Sequence, residues 1–517
     1  MPRSILLRHV QRSLDSAAEQ ETDFLLAVKH QHAAEALRRQ LWLQRPSIEA
    51  VVRHHLGLAS DDECTLLPQD SWLQGGFNLC LLVAVSEGAR QRVVVFRCPM
   101  AHKLAEDVYA GTIDEKLRSE VATYVWMQEY CAHIRIPALY AFGLKDGSHF
   151  VHVGQRPLYA AICRSFWRWI YRVLEYPLLS FYSRDASVPA IDTPYMLLEY
   201  IGANTGQELS LSWAQHLHDA DRRNRLFRGI SRIMLSLARL PQPRIGSFLF
   251  NTSDGTISLS NRPMTCTMMI FENGGTRRVM EPGQTYQSTD SLVTDLLTLH
   301  DNHFLHDRHA ARDADDARER MALRTLLRAV SHHFISPHTR DGPFLLMLTD
   351  FHQSNIFVDD DWEVTALIDM EWMCTLPVEM LSVPYWLTNC SIDDITDDNY
   401  GVFEETRRAF LAIMDEESKS IPMEHGLELT RTMRRGWDSK GVWFWSCLKS
   451  VNAWLFLFED HVAPRFSAER GFITELKKVS MFWRDDADQV VKTKVNEEEQ
   501  FQADLRELFD KEGRENE

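Results

Sequence analysis

Apolar and polar positions change their period several times along this chain, and each change marks a new element. From about residue 16 to 44, Ala, Leu and Gln recur at helical spacing, which predicts a leading helix. A second helix is expected after Ser47, a good N-cap, with its stop at Gly57. Period two then takes over. Leu79–Val85 is apolar, Glu87-Gly88 has turn chemistry and Val93–Phe96 is β-branched and aromatic, a pattern that predicts a hairpin. A glycine pair opens its first strand in Trp72-Leu73-Gln74-Gly75-Gly76-Phe77-Asn78. Glu115–Cys131 returns to helical spacing, with Leu117, Val121, Tyr124 and Val125 on one face. Ala138–Phe142 and Tyr195–Tyr200 read as two further strands.

Between those last strands lies an insertion, Gln155–Ala190. At its centre Arg164, Arg168 and Arg172 follow at i+4 steps beside Phe166, Trp167, Trp169 and Ile170. Two readings suit such a helix: aromatics packed on the body of the protein, which we take as the expectation, or a membrane-surface helix through 164–176. From Ser212 the pattern is mainly helical, with a strand pair at Ile245–Phe250 and Thr256–Leu259 and a charged, solvated helix at Arg308–Arg328. Phe344–Met347, Ile356–Val358 and Val364–Ile368 read as short strands. Beyond Pro377 the chain is helical and rich in tryptophan, and after Lys494 an acidic terminal helix is expected to fray. The pattern gives an α+β chain in four parts: a helical extension over 1–65, a sheet-rich unit over 66–200 containing the insertion 155–190, a core unit over 201–390, and a helical subdomain with an acidic tail over 391–517.

Composition narrows the function. Hydrophobic residues at 45% and charged residues at 25% are those of an ordinary globular protein. The net charge of −17 argues against nucleic acid as a partner, because phosphate neutralisation needs clustered Lys and Arg. Nine scattered cysteines without a CxxC pair suit neither a disulfide framework nor a zinc site, and point to a reducing, cytoplasmic setting. No apolar run has the length of a membrane span. Arg3, Arg8 and Arg12 precede the first acid, Asp15, which fits the start of a basic amphipathic helix, with a mitochondrial presequence as the alternative.

The chemistry concentrates between Leu345 and Trp372, in LLMLTDFHQSNIFVDDDWEVTALIDMEW. Asp350 is followed five positions later by Asn355, then by a strand pair with an acidic turn, then by Asp369. Phosphoryl transfer asks for such a set: one carboxylate to orient an acceptor hydroxyl, and oxygen ligands to hold Mg²⁺ against nucleotide phosphates. As bland alternatives, Asp350 and Asn355 are turn formers and Asp369 a helix cap.

On these residues the segment from Ser71 to Trp386 resembles the aminoglycoside-phosphotransferase and choline-kinase-like family, and within it most closely a fungal branch. The resemblance implies a bilobal protein-kinase-like fold, with an antiparallel-sheet N-lobe and a largely helical C-lobe, that uses ATP and Mg²⁺. Asp350 matches the family's catalytic aspartate, Asn355 its metal-binding asparagine and Asp369 its second metal ligand. Gly75 and Gly76 would lie over the phosphates, Arg97 would stand for the nucleotide lysine with Glu120 as its helix partner, and Glu199-Tyr200-Ile201 would be the adenine hinge. Two positions depart from the family pattern. Its His-Gly-Asp reads Leu348-Thr349-Asp350 here, with His352 as a partial substitute, and its lysine is Arg97, which is not a conservative exchange. The leading reading is an ATP-dependent kinase acting on a small-molecule hydroxyl. A catalytically silent nucleotide-binding scaffold and a membrane-surface lipid-headgroup kinase are its rivals. Asp393, Asp394, Asp397 and Asp398, near Tyr385 and Trp386, suggest a cationic or sugar-like acceptor, with a solvated acidic loop as the plainer reading.

Overall fold

A computed structural model describes residues 4–7, 10–88, 90–467 and 476–515. Period-two segments pair as their spacing predicts: Asn78–Glu87 and Arg90–Pro99 form a ten-residue-per-strand hairpin turned at Gly88, whose φ of +58° suits glycine. The hairpin sits in an antiparallel sheet of eight strands. On one side Arg90–Pro99 continues to Tyr195–Glu199, Leu139–Gly143, His149–His152 and Tyr182–Arg184; on the other, Asn78–Glu87 pairs with both Glu63–Leu66 and Leu73–Gln74.

Strand alternation gives this sheet two apolar faces. Leu79, Leu81, Val83, Phe96 and Leu197 pack against the helix Arg45–Leu56, and Phe142, Met196 and Leu198 against the helix Thr112–Tyr130. The second face belongs to a core that runs on through the helices Ala220–Ala238, Thr289–His306, Asp397–Ser418 and Gly441–Lys449. Two short strand pairs lie beneath the sheet, Phe344–Leu348 with Met373–Pro377 and Ile356–Val358 with Val364–Leu367. The chain is thus mixed α and β with antiparallel sheets.

Several elements differ from expectation. Ser4–Leu7 and Val10–Ser13 form a hairpin instead of a helix start, and helix follows as Leu14–Ala18 and then Phe24–Leu43. Arg45–Leu56 begins before Ser47, with Pro46 in its first turn, and ends at Gly57 in the left-handed conformation. Ala314–Val330 is not solvated all round, for it buries Met321, Leu323 and Leu327. Ala487–Glu515 docks by Phe501, Leu505 and Phe509 onto Ile5, Phe24 and Val28, so the expected fraying tail is a packed helix.

The largest correction concerns the insertion. Its helix, Leu158–Val173, turns Arg164 and Arg168 inward and the aromatics outward, while Arg172 stays exposed beside Glu129. Arg164 donates to the Ser180 and Tyr182 carbonyls at 2.7 and 2.9 Å, and Arg168 stacks on Phe181 and pairs with Glu129. Phe166, Trp167 and Trp169 are 56%, 53% and 60% exposed, with Leu158, Tyr159 and Ile162 also open. Main-chain carbonyls and Glu129 outcompete apolar packing for this helix's inner face. No described helix is long and apolar enough to cross a membrane.

Candidate active site

Arg97 occupies the middle of the sheet, opposite Cys80 and Met196. Alternation sends Phe96 and Cys98 to one face and Arg97 to the other, toward Thr112–Tyr130. There its Nη1 donates to Glu120 Oε1 at 2.5 Å and its Nη2 to Asp369 Oδ1 at 2.5 Å, with Glu371 Oε2 at 3.4 Å. Lys116, one helical turn before Glu120, closes the ring: its amine reaches Glu120 Oε2 at 2.8 Å, Glu371 Oε2 at 2.5 Å and Asn78 Oδ1 at 3.0 Å. Asn78 donates in turn to Glu371 Oε2 at 2.9 Å. Burial by itself would lower the Arg97 pKa, but Asp369, Glu120 and Glu371 together outweigh it and hold the guanidinium well above its ordinary value. Lys116 is raised on the same balance, burial opposed by Glu120 and Glu371.

Of the three residues of the Leu345–Trp372 segment, Asp369 touches this ring, and Asn355 is linked to it by the Ile368 main chain and to Asp350 by its side chain. Asp350 follows the strand Phe344–Leu348. Asn355 donates Nδ2 to the Asp350 main-chain oxygen at 2.9 Å, which leaves its amide oxygen as the atom to offer a cation. Ile368 N–H donates to Asn355 O at 3.0 Å, so the returning strand delivers Asp369 beside Asn355. Asp369 has φ +61°, a left-handed conformation that Asp tolerates better than most side chains. Burial raises the Asp350 carboxyl above its ordinary range; His352 opposes this, and Asp369 and Glu371 add to it. His352 Nε2 stands 3.7 Å from Asp350 Oδ1, and its Nδ1 accepts from Ser354 N–H, so it caps the loop.

The remaining expected residues lie along the same strands. Gly75 and Gly76 form the turn between Leu73–Gln74 and Asn78, with Gly75 N–H donating to Asn78 O at 2.9 Å. A Cβ at Gly76 would meet nothing within 4 Å, so the turn is open on that side. Next to it Phe77 packs edge-on against Trp372, with ring centres 4.8 Å apart, which ties the turn to the Asp369 loop. Glu199 pairs with Val94, three residues and about 10 Å along the strand from Arg97. Its carboxylate accepts from Arg135 and from Ala138 N–H, Tyr200 is 40% exposed and Ile201 is buried.

Lys116 and Asn78 were not singled out in the sequence. The i,i+4 spacing of Lys116 and Glu120 was the available signal. The acids Asp393 and Asp394 accept from the Ser391 hydroxyl at 2.7 and 2.6 Å, and neither they nor Asp397 and Asp398 are part of the cavity wall at Tyr385 and Trp386.

Asp350, Asp369 and the Asn355 amide offer oxygen donors, of the kind a hard divalent cation takes, but Glu120 and Glu371 are already held by Arg97 and Lys116. Among the described residues, the trio of acidic, His or Cys side chains whose ligand atoms lie within 4.8 Å of one another is elsewhere, at His54, His55 and Asp185.

No protein-family model matches the chain. No curated protein matches it either. Solved structures that match include "Putative fructosamine-3-kinase" from Haemophilus somnus 129PT, at 10% identity over 86% of this chain and 99% of that one, with a TM-score of 0.30. Another is a macrolide 2'-phosphotransferase type I, at 9% identity over 84% of this chain and 95% of that one, with a TM-score of 0.26. Likeness at this level assigns no residue a role.

Proposed function

We propose that this chain is a bilobal, protein-kinase-like phosphotransferase that moves the γ-phosphoryl group of ATP to a hydroxyl of a small molecule. One observation carries the reading: Asp350, Asn355 and Asp369 converge beneath an arginine that is itself anchored to a helix glutamate. In this reading Asp350 accepts the proton of the acceptor hydroxyl while that oxygen bonds to the γ-phosphorus and the bond to the departing ADP breaks. The raised carboxyl of Asp350 fits a proton acceptor better than a permanently ionised surface group would. Asn355 and Asp369 would hold Mg²⁺, which when bound neutralises phosphate charge. In this reading Arg97 stays fixed to Glu120 by Nη1 while its Nη2, which rests on Asp369, would turn to the phosphates under the open turn at Gly75-Gly76. The backbone of Glu199–Ile201 receives adenine.

Two substitutions test this. Mg·ATP at about a hundred times its Kd should stabilise the wild type by roughly 2.7 kcal/mol. Asp350→Asn should keep that shift and lose nearly all turnover. Asp369→Asn should lose turnover and most of the metal-dependent shift. A shift without turnover in the wild type would instead support a silent nucleotide-binding scaffold. The absence of both would end every nucleotide-based reading.

A second reading, a kinase working at a membrane surface, is favoured by the outward aromatic face of Leu158–Val173.

A further inference from the structure

Beside Asp350 the protein contains a cavity of about 300 Å³. That is the lower end of the range for ligand pockets. Leu348, Thr349 and Phe351 form its wall at the catalytic loop, and Tyr385, Trp386 and Trp443 line it further in. No Asp or Glu is among the residues that line it. A smaller cavity of about 50 Å³, lined by Cys266, Met268 and His300 among others, shares Thr349, Leu376, Met380 and Lys449 with the first.

The polar groups of the larger cavity are mostly committed. Thr349 donates its hydroxyl to Trp372 O at 2.6 Å, Ser446 donates to Val442 O at 2.8 Å, and Ser450 accepts from Ala453 N–H at 2.8 Å. Lys449 is not. Among the described residues its amine has one hydrogen-bond partner, the Met380 carbonyl oxygen at 3.4 Å. An ammonium carries three donors. Burial lowers this amine to about 8, and an anionic group beside it would favour its protonated form. A protonated amine on an apolar wall without a carboxylate partner is costly, and a negatively charged ligand group offsets that cost.

Resting on the phosphotransferase reading, we infer that this cavity receives the acceptor, and that the acceptor is an apolar hydroxyl compound bearing a carboxylate or similar anionic group held by Lys449. A cationic acceptor finds no counter-charge in this wall and meets the Lys449 ammonium. Aromatic and aliphatic lining residues favour a hydrocarbon body over a sugar, since apart from groups such as Trp443 Nε1 and Lys449 the wall offers few partners for a ring of hydroxyls.

A matched series of probes tests the inference by calorimetric titration of the full chain without nucleotide: ω-hydroxyoctanoate, octanediol and amino-octanol, which share a hydrocarbon body and differ at one end. The hydroxy acid should bind about tenfold or more tightly than the diol, as a charge-assisted hydrogen bond warrants, and the amine most weakly. Lys449→Met, close to isosteric, should bring the hydroxy acid and the diol to within about twofold, while Lys449→Arg retains the preference. Equal or tighter binding of the amine in the wild type overturns the inference, whatever the variants do. So does the absence of binding by all three probes, or a hydroxy-acid preference that survives Lys449→Met. The phosphotransferase reading is scored separately, by the Mg·ATP shift and by phosphoryl transfer to the bound probes. The binding order can stand while transfer fails, and that result would end the kinase reading without touching the chemistry of the pocket.

Discussion

Removing the Arg97 guanidinium is the sharpest perturbation of the charge ring. Arg97→Ala deletes a side chain that is 7% exposed and bridges Glu120, 1% exposed, to Asp369, 29% exposed. Breaking a buried ion pair by removing one partner costs about 3–5 kcal/mol, because the other partner is left uncompensated. Two features place the expected cost at the lower end. Lys116 still holds Glu120 and Glu371, and Asp369 is open enough to regain water. We therefore expect a loss of about 3 kcal/mol by urea denaturation at unchanged m-value. In thermal melts that corresponds to a drop of only about 3 °C for a chain of 517 residues melting as one unit. Arg97→Lys retains the charge but reaches only one of the two carboxylates, so it should lose about half as much. A second readout separates stability from site chemistry. In the resting site Arg97 occupies Asp369, the oxygen ligand that Mg²⁺ would use. Mg²⁺ without nucleotide should therefore stabilise Arg97→Ala more than the wild type, whereas Mg·ATP should stabilise it less. A loss under about 1 kcal/mol, the range of exposed ion pairs, with identical Mg²⁺ responses, would refute the picture of a buried ring closed by Arg97.

Two further outcomes follow from burial. His55 and His303 are held down to about 3 and His102, His300 and His461 to about 4, chiefly by burial. The unfolded chain, with histidines near 6.5, binds more protons below that pH, so the melting temperature should fall as pH drops from about 6.5 toward 4; a flat or rising profile would contradict these buried neutral rings. Trp167→Ala with Trp169→Ala should change stability by no more than about 0.5 kcal/mol per site, as at open surface positions, and should reduce co-sedimentation with liposomes if the helix works at a membrane; a loss of several kcal/mol would mean that these rings are packed after all.

What could be read from the sequence was local. Asp350, Asn355 and Asp369 stand in one stretch whose strand pair and turn are coded by neighbouring residues, so their convergence was visible without tertiary knowledge. Arg97 was singled out by the family resemblance and by its spacing from Gly75-Gly76, and period two then fixes the face it takes. Lys116 was hidden because Thr112–Tyr130 is buried around most of its circumference, which blurs the helical period that would mark a functional face. The insertion failed for a different reason. Its arginines are satisfied by the carbonyls of Ser180 and Tyr182 and by Glu129, partners that spacing within the helix does not reveal. The chemistry of the cavity beside Asp350 was equally non-local. Asp393 and Asp394 are close in sequence to Tyr385, yet the charged group in that wall is Lys449, from a distant helix.

The strand pair Phe344–Leu348 and Met373–Pro377 pairs Leu348 with Met373, and directly beyond it both the N–H and the hydroxyl of Thr349 donate to Trp372 O. The chain between them is closed at its neck, and Asp350, Asn355, Asp369 and Glu371 all lie inside that closure. Arg97, Lys116 and Glu120 lie outside it, on the sheet and its helix. The site is therefore a joint between two parts, each internally braced, and not seven independent side chains. Opening or closing it changes one relation, the seating of the clamped loop against the arginine strand, and leaves the spacing of the loop's own oxygens alone. A probe spanning Arg97 and Asp369 would register any such movement, whereas a probe confined to Asp350 and Asn355 would stay silent throughout.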